Sequence, residues 1–374
     1  MKKYLARGLA ASLAVVMPLS MASHTASPAS AAPVTAQAVA GNAKAAELRW
    51  DELPDTVNPS TNGRWVGKIK ELKNAGHNVR FATATSPAMG GLEIPLVVIG
   101  PEGKKLDETA GLPTLYLLNG ADGGEGRANW INQSDIVEYY GKNLNANVVI
   151  PMSGAFSYYT DWVNKYSKVG YKPMWETFLT KELPQTIEEA LKANGKRAIA
   201  GMSMSATSSL NLAAHNPGFY DSVGSFSGCA STTQGLAPTF IDITLSRGNT
   251  SIDEMWGGAN SETARYNDAL LNADKLVNQP NLYVSNASGL VGEHDVLGSE
   301  RINGNVPNAL TIAVEGGVIE AATNGCTHDL DVKLRSLGKK DATFNFRNTG
   351  THQWGYWQDD LHDYLPVLKK AFGS

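Results

Sequence analysis

The sequence predicts an α/β fold, in which a mostly parallel central sheet has helices on both faces and an antiparallel hairpin at its amino-terminal edge. Three observations support this prediction. Apolar runs rich in β-branched residues alternate with helical patterns along most of the chain. A composition of 42% hydrophobic and 18% charged residues supports a buried core. No internal repeat is present, which excludes solenoids and propellers.

The first 31 residues have the pattern of a signal peptide. An apolar stretch from Gly8 to about Ala22 follows three basic residues, which are Lys2, Lys3 and Arg7. The small residues Ala29, Ser30 and Ala31 provide a cleavage site, with residues 36–38 as a second choice. We therefore expect an exported protein in which residues 1–31 are removed.

The alternative for this segment is a retained membrane anchor. Pro18 and His24 disfavour it, because they leave the apolar run short of the roughly 20 residues that a membrane span needs. Residues 32–47 contain many small residues and no aromatic residue, so they predict a flexible leader. The 374-residue length permits one large catalytic domain, which we assign to residues 48–374.

Charge and cysteine content exclude several classes of protein. The chain has 32 Lys and Arg against 36 Asp and Glu, so it lacks the basic surplus of a nucleic-acid-binding protein. Its two cysteines are too few for a disulfide scaffold and lack the paired spacing of a zinc site. In an exported protein Cys229 and Cys326 can form one disulfide, and two separate buried thiols are the alternative. We expect no metal and no cofactor.

The expected elements follow from the hydrophobic pattern. Eight strands are predicted, at residues 78–84, 94–100, 114–118, 147–151, 197–200, 222–226, 281–285 and 343–346. Helical patterns occupy residues 136–144, 175–193, 205–215, 253–277 and 355–371. The first two strands are joined by the short turn 86–91 and should form a hairpin, whereas the others should run parallel. Functional loops are then expected at the carboxyl ends of the parallel strands.

Ser203 is the candidate nucleophile. It lies in Gly201-Met202-Ser203-Met204-Ser205, between the strand 197–200 and a helix, which is the setting of a nucleophile elbow in an α/β-hydrolase. Gly201 and Ser205 are small enough for the sharp turn, although the second glycine of the motif is absent. The alternative is that Ser203 only caps the following helix.

A serine nucleophile needs a base, and His352 is the candidate. It follows the last predicted strand and precedes the last predicted helix, at the sheet end where an elbow serine is exposed. The other histidines considered are expected to be structural or exposed, namely His24, His77, His215, His328 and His362.

The third member should be a carboxylate between Ser203 and His352 in chain order. The loop after strand 281–285 offers Glu293, which we favour, and Asp295; both could instead be solvated loop charges. Backbone N–H groups of Met204 and of the glycine-containing loop 117–124 are the expected donors to a tetrahedral oxyanion. That loop lacks the lysine-serine ending of a phosphate-binding loop.

Five segments together resemble the antigen 85 and corynebacterial mycolyltransferase family of secreted α/β-hydrolases. They are Tyr116–Gly120, Trp130 with Asn132, Tyr158–Trp162, Ala200–Met204 and Gly350–Trp357. The resemblance extends over most of the chain from about Trp65, and the stretch 315–338 is closer to the corynebacterial members.

This resemblance implies roles for individual residues. It implies a triad of Ser203, Glu293 and His352, with the amides of Met204 and Ala121 in the oxyanion hole. It also implies that three residues bind substrate, which are Trp354 at the sugar site, Asn119 and Trp130. Antigen 85 members have an Asp-Gly-Leu-Arg run where this chain has Asn119-Gly120-Ala121-Asp122, so trehalose contacts from that acid and base do not carry over.

The function that follows is mycolyl transfer outside the cytoplasm, at the cell envelope. Ser203 would take a mycolyl group from trehalose monomycolate and pass it to an acceptor hydroxyl of a second trehalose monomycolate, arabinogalactan or a protein. A secreted carboxylesterase with water as acceptor is the first alternative, because fold and triad do not distinguish the two reactions. A non-catalytic envelope-binding protein is the second. The expected partners are trehalose mycolate glycolipids and envelope acceptors, without nucleic acid or metal.

Overall fold

One nine-stranded sheet organises the residues that the structure, a computed structural model, describes, which are 43–53 and 64–374. Along the sheet the strands have the order β1-β2-β3-β5-β4-β6-β7-β8-β9. Their bounds are β1 Glu47–Trp50, β2 Val79–Ser86, β3 Leu92–Ile99, β4 Thr114–Leu118, β5 Asn147–Pro151, β6 Arg197–Met202, β7 Ser222–Phe226, β8 Leu282–Ala287 and β9 Thr343–Arg347.

The direction of the strands matches the sequence prediction of a mostly parallel sheet with an antiparallel edge. Strands β5, β4, β6, β7, β8 and β9 pair in parallel, whereas β1, β2 and β3 pair antiparallel. Strand β3 also pairs antiparallel with β5. Gly90 and Gly91, both at positive φ, close the β2–β3 turn, as its sequence predicts. Strand β1 was not predicted, because four residues at a sheet edge are too short for a periodic pattern.

Twelve α-helices cover the sheet in the described residues. They are α1 Arg64–Asn74, α2 Trp130–Gln133, α3 Ile136–Asn143, α4 Trp175–Thr177, α5 Leu183–Ala190, α6 Met204–His215, α7 Ala237–Arg247, α8 Ile252–Trp256, α9 Glu262–Tyr266, α10 Val306–Thr311, α11 Gly317–Ser336 and α12 Trp354–Phe372. Short π-helical segments connect α4 to α5 at Phe178–Glu182 and α10 to α11 at Ile312–Gly316. Short 3-10 helices occur at Leu106–Thr109 and Ala273–Leu276.

The helices differ from the sequence prediction in two respects. The region 253–277 is not one helix, because Gly257 adopts a left-handed conformation that ends α8 and Ser261 caps a separate helix α9. Five helices were not predicted, namely α1, α2, α7, α10 and α11. Helix α11 packs along β8. Glycines interrupt its apolar residues, and two of its valines, Val318 and Val332, lie on the exposed side. The sequence therefore shows no continuous apolar stripe at helical spacing.

Each face of the sheet has its own hydrophobic core. Alternate residues of β4 point to opposite faces, so that Tyr116 and Leu118 join one core while Leu115 and Leu117 join the other. Trp175 and Phe178 complete the first core, and helix α12 covers the second. Each fully buried large apolar side chain contributes about 1.5–3 kcal/mol to folding. The helices on both faces agree with the predicted architecture.

The amino-terminal predictions fall mostly outside this description. The predicted signal peptide, residues 1–31, and most of the predicted leader, residues 32–47, lie outside the described residues. Within residues 43–53 and 64–374, no helix is both long and apolar enough to cross a membrane.

Candidate active site

Ser203 lies at a sharp turn between β6 and α6. Its φ of 57° and ψ of −122° are strained for a residue with a side chain. A Cβ on Gly201 would lie 2.6 Å from the backbone oxygen of Ser205, so this close approach requires glycine. The Ser205 hydroxyl accepts a hydrogen bond from the N–H of Met202 at 3.0 Å and lies 3.1 Å from the Leu118 oxygen. The serine that replaces the second glycine of the motif thus cross-links the turn.

His352 meets Ser203 at the carboxyl end of the sheet. Its Nε2 lies 2.8 Å from Oγ of Ser203. The residue belongs to the loop between β9 and α12, as the sequence predicts. Its backbone N–H donates to the carbonyl oxygen of Gly316 at 3.1 Å, in the π-helical segment before α11. The loop of the candidate base is therefore fixed to the helix that follows β8.

Glu320, on α11, supplies the carboxylate that contacts His352. Its Oε2 lies 2.8 Å from Nδ1 of His352, and its side chain is fully buried. The other oxygen, Oε1, accepts hydrogen bonds of 2.8 Å from Ser227 Oγ, Asn286 Nδ2 and the N–H of Ala287. These donors satisfy a carboxylate that is buried away from water, and a carboxylate at Nδ1 fixes the tautomer of the imidazole.

The prediction of Glu293 as the acid is therefore wrong. The Glu293 side chain is 79% exposed, and the basic group near its carboxylate is His294, 3.8 Å away. The loop after β8 indeed lies beside His352, but Glu293 points from it into an open groove. Glu320 also lies between Ser203 and His352 in chain order. A single Glu between Val318-Ile319 and Ala321-Ala322 was the available sequence signal, since an acid within an apolar helical stretch indicates a buried charge.

Asp295, the alternative acid, does not contact the imidazole of His352 either. Its buried carboxylate accepts hydrogen bonds from Thr351 Oγ1 at 2.7 Å, Gln353 Nε2 at 3.0 Å and the Tyr356 hydroxyl at 2.7 Å. Burial, together with the Asp295 carboxylate, raises the pKa of Tyr356, so the phenol stays protonated and donates. Asp295 thus holds the residues on both sides of His352.

The predicted oxyanion donors lie beside the elbow. Met204 is the first residue of α6, where N–H groups have no intrahelical partner, and it lines the same cleft as Ser203. Ala121 lies in the turn after β4, the neighbour of β6, and its carbonyl oxygen accepts from the N–H of Phe156 at 2.7 Å. These positions suit the predicted role, which stays a prediction.

Asn119 and Trp130 do not face a substrate, so that prediction is wrong for both. Their side chains are 0% exposed. The Asn119 amide donates to the Pro151 oxygen at 2.9 Å and accepts from the N–H of Trp130 at 3.1 Å. The Trp130 indole donates to the Leu118 oxygen at 2.8 Å. Both residues instead support the loop that carries Ala121.

Trp354 lies in the wall of a groove beside His352, and its role at a sugar site stays a prediction. Trp354 is partly exposed, and its ring makes edge contacts with Trp130 and Trp357, each at 5.2 Å between centroids. Cys229 and Cys326 form the predicted disulfide. This bond links the loop after β7 to α11, the helix that carries Glu320.

His352 borders two cavities of different character. A cleft with about 550 Å³ of space contains Ser203 and has mainly apolar and hydroxyl-bearing walls, among them Tyr158, Phe240, Ile241, Thr244, Ile319 and Ala322. Burial raises the pKa of Tyr158 to about 12, so this phenol is neutral. An open groove with about 2060 Å³ of space, part of it open solvent, lies on the other side of His352. Most of its wall residues have polar side chains, among them Gln133, Glu293, His294, Arg301 and Gln358, and Trp354 is also in the wall.

Two groove residues, Glu293 and His294, form with Asp359 a group that has the residue types of a metal site. The ligand atoms of Glu293, His294 and Asp359 lie within 4.8 Å of one another. His294 Nε2 is already hydrogen-bonded to Asp359 Oδ2 at 2.8 Å, so this nitrogen has a protein partner. Arg301 lies nearby, and burial lowers the pKa of its guanidinium. This guanidinium donates a hydrogen bond to the backbone carbonyl oxygen of Gln133 at 2.9 Å.

Known proteins are similar to this chain in sequence and in fold. The Esterase family model matches residues 86–368. Diacylglycerol acyltransferase/mycolyltransferase Ag85B of Mycobacterium leprae is 33% identical over 270 residues, which cover 70% of this chain and 76% of the relative. Ag85A of Mycobacterium tuberculosis is 30% identical over 297 residues, which cover 76% and 81%.

Solved structures confirm the α/β-hydrolase fold. The crystal structure of MPT51 (FbpC1) from Mycobacterium tuberculosis superposes with a TM-score of 0.62 and 22% identity, over 77% of this chain and 96% of that one. The serine hydrolase FphF of Staphylococcus aureus superposes with a TM-score of 0.54 and 16% identity, over 78% and 98%. At these identities the likeness concerns the fold alone.

Proposed function

Because this chain belongs to the esterase family that includes the Ag85 diacylglycerol acyltransferase/mycolyltransferases, we propose that it transfers a mycolyl group through an acyl-serine intermediate. The donor is trehalose monomycolate, and the acceptor is an envelope hydroxyl. The observation that carries the proposal is the continuous contact from Ser203 through His352 to Glu320, with 2.8 Å at each step.

In the first half-reaction Ser203 becomes acylated. His352 Nε2 removes the proton of the Ser203 hydroxyl as Oγ forms a bond to the ester carbonyl carbon. The N–H groups of Met204 and Ala121 donate to the oxyanion of the tetrahedral intermediate. The bond to the trehalose oxygen then breaks, and this oxygen takes the proton from His352. Glu320 stabilises the transient imidazolium through its contact with Nδ1.

The second half-reaction reverses these roles with a new alcohol. An acceptor hydroxyl gives its proton to His352 Nε2 while its oxygen attacks the acyl carbon on Ser203. The bond between that carbon and Oγ breaks, and Ser203 recovers the proton from His352. Atoms and charge balance without an added reactant, so the chemistry needs neither a metal nor a cofactor.

The two cavities at His352 support a division between acyl chain and sugar. The cleft that contains Ser203 has apolar walls suited to the start of a hydrocarbon chain, including Ile241 and Ile319. The groove offers the amides of Gln133 and Gln358 and the indole of Trp354, groups that bind sugar hydroxyls and the apolar faces of sugar rings. His352 lies in the wall of both cavities, so an alcohol in the groove can reach its imidazole.

Hydrolysis is the competing function, and the esterase family favours it as the alternative. The experiment incubates purified protein with trehalose monomycolate and measures trehalose dimycolate, free mycolic acid and trehalose. Dimycolate as the main product supports transfer, whereas free acid alone would assign a carboxylesterase. Ser203→Ala and His352→Ala should each abolish most turnover while the thermal unfolding curve stays unchanged.

Covalent labelling distinguishes a catalytic protein from a non-catalytic envelope-binding protein without a turnover assay. A fluorophosphonate probe should label the wild type and leave Ser203→Ala unlabelled, because only an activated serine reacts. A wild type that stays unlabelled and inactive would assign the non-catalytic alternative.

The proposed location is outside the cytoplasm, at the cell envelope. Residues 1–31 have the pattern of a cleaved signal, and the disulfide between Cys229 and Cys326 is typical of an oxidising compartment. Mass analysis of protein recovered from the culture medium or envelope should give an amino terminus near Ala32. A mature protein that retains residues 1–31 would contradict this location signal.

A further inference from the structure

Exposed apolar side chains are concentrated beside the candidate active site. Nine of the fifteen large hydrophobic side chains that are exposed in the described residues lie between residues 290 and 319. We call this set the apolar collar; its members are Leu290, Val291, Val296, Leu297, Val306, Leu310, Val314, Val318 and Ile319. Apolar patches of this kind on a protein surface mark interaction sites.

Four members form a stripe along one continuous helical segment. Val306, Leu310, Val314 and Val318 follow one another at intervals of four residues through α10, the π-helical segment and the start of α11. This spacing places them on one side of the segment. Their exposures are 50%, 62%, 63% and 61%, so the stripe faces outward over several helical turns.

The collar reaches the cleft that contains Ser203. Ile319 is itself a wall residue of the cleft that contains Ser203, and Ile312 of the same segment lines the groove. The backbone N–H of Gly350 donates to the Leu290 oxygen, and that of His352 donates to the Gly316 oxygen. The collar thus reaches the wall of the cleft into which an acyl chain would pass.

The charge of this region determines what kind of surface it fits. Residues 288–322 contain one Lys or Arg, Arg301, which is partly buried and hydrogen-bonded to Gln133. The exposed acids are Glu293, Glu300 and Glu315. Anionic membranes attract basic segments, and this region offers the opposite charge. An apolar, weakly acidic surface is suited to a lipid surface without net negative charge.

We propose that the apolar collar docks onto an uncharged lipid surface and that the acyl chain of the donor passes from this surface into the cleft of Ser203. The proposal rests on the proposed function for the identity of the donor. The docking step itself concerns only the collar, so it can be tested without catalysis.

The test measures sedimentation of the Ser203→Ala protein with vesicles. Phosphatidylcholine vesicles should bind the protein, with little dependence on salt, and added phosphatidylglycerol should weaken binding. Leu310→Asp and Val314→Asp should each weaken binding about tenfold, because each loses apolar contact and adds an acidic charge. Val169→Asp is the matched control, an exposed valine outside the collar, and should bind like the parent.

Activity on a soluble ester separates docking from catalysis. In the background with Ser203 intact, Leu310→Asp and Val314→Asp should hydrolyse p-nitrophenyl butyrate as the wild type does, but should lose turnover of aggregated trehalose monomycolate. Absence of vesicle binding, equal binding by the collar variants, or binding that requires phosphatidylglycerol would overturn the proposal. A collar-dependent dimer in sedimentation velocity would assign the collar to a second copy of the chain instead.

The two proposals fail separately. Vesicle binding that depends on the collar, in a protein that does not transfer mycolate, would retain docking and reject the proposed function. Transfer of mycolate without vesicle binding would retain the proposed function and reject docking.

Discussion

The carboxylate of Glu320 reaches the imidazole of His352 from a helix, whereas the sequence indicated a loop acid. One of its oxygens contacts Nδ1 of His352 and the other accepts from Ser227, Asn286 and the N–H of Ala287. Both oxygens are therefore satisfied in a fully buried position. This arrangement holds a negative charge where an imidazolium forms, which is what the proposed reaction requires of its third member.

Replacing Glu320 should therefore lower turnover far more than replacing Glu293. Glu320→Gln keeps the size of the side chain but removes the charge and alters the tautomer that His352 adopts, so kcat should fall by at least about 10²-fold. Glu293→Gln changes an exposed side chain and should leave kcat within about twofold. Steady-state kinetics on a soluble ester measure both. A larger loss of kcat for Glu293→Gln than for Glu320→Gln would identify Glu293 as the acid.

Asp295 should act as a positioning residue for His352. It binds the side chains of Thr351 and Gln353, so Asp295→Ala releases both neighbours of the base. A displacement of about 1 Å can cost about 10²-fold in rate, and kcat should fall while KM changes little. The rate of fluorophosphonate labelling should fall in parallel. Thr351→Val removes one donor only and should have a smaller effect. Loss of folded protein without a change in kcat of the folded fraction would assign a purely structural role.

Removing the disulfide should destabilise the protein. Cys229 and Cys326 are 97 residues apart in the chain, and loss of a disulfide of this kind typically costs about 2–5 kcal/mol in free energy of unfolding. Urea unfolding of the Cys229→Ser, Cys326→Ser double variant measures this loss. Because α11 carries both Cys326 and Glu320, turnover of the double variant should also fall before global unfolding. Equal unfolding midpoints for variant and wild type would contradict the prediction.

Trp354 should affect the acceptor more than the donor. Its partly exposed indole lies in the groove wall beside His352, where it can pack on a sugar ring and exclude water. Trp354→Ala should raise the ratio of free mycolic acid to transferred product, with the rate of Ser203 acylation little changed. Trp354→Phe retains an aromatic face and should restore part of the transfer. Equal losses in both half-reactions, with a lower melting temperature, would show that Trp354 only anchors α12.

The sequence alone predicted eight of the nine strands, the elbow turn, the histidine that meets Ser203 and the cysteine pair. Long β-branched runs define the strands from their own composition, and Gly201 with Ser203 between a strand and a helix defines a local turn. His352 was predictable because the ends of parallel strands meet at one edge of the sheet. Cys229 and Cys326 had one possible intramolecular partner each.

The tertiary structure alone decided the acid and the apolar collar. Which carboxylate meets Nδ1 of His352 depends on how α11 packs against β8. The apolar neighbours of Glu320 indicate that it is buried, but they do not indicate which side chain it meets. Asn119 and Trp130 likewise belong to a motif whose residues are buried by packing and cannot touch a substrate. Exposure of the valines and leucines of the collar is equally a property of packing, because the same residue types form the core elsewhere in the chain.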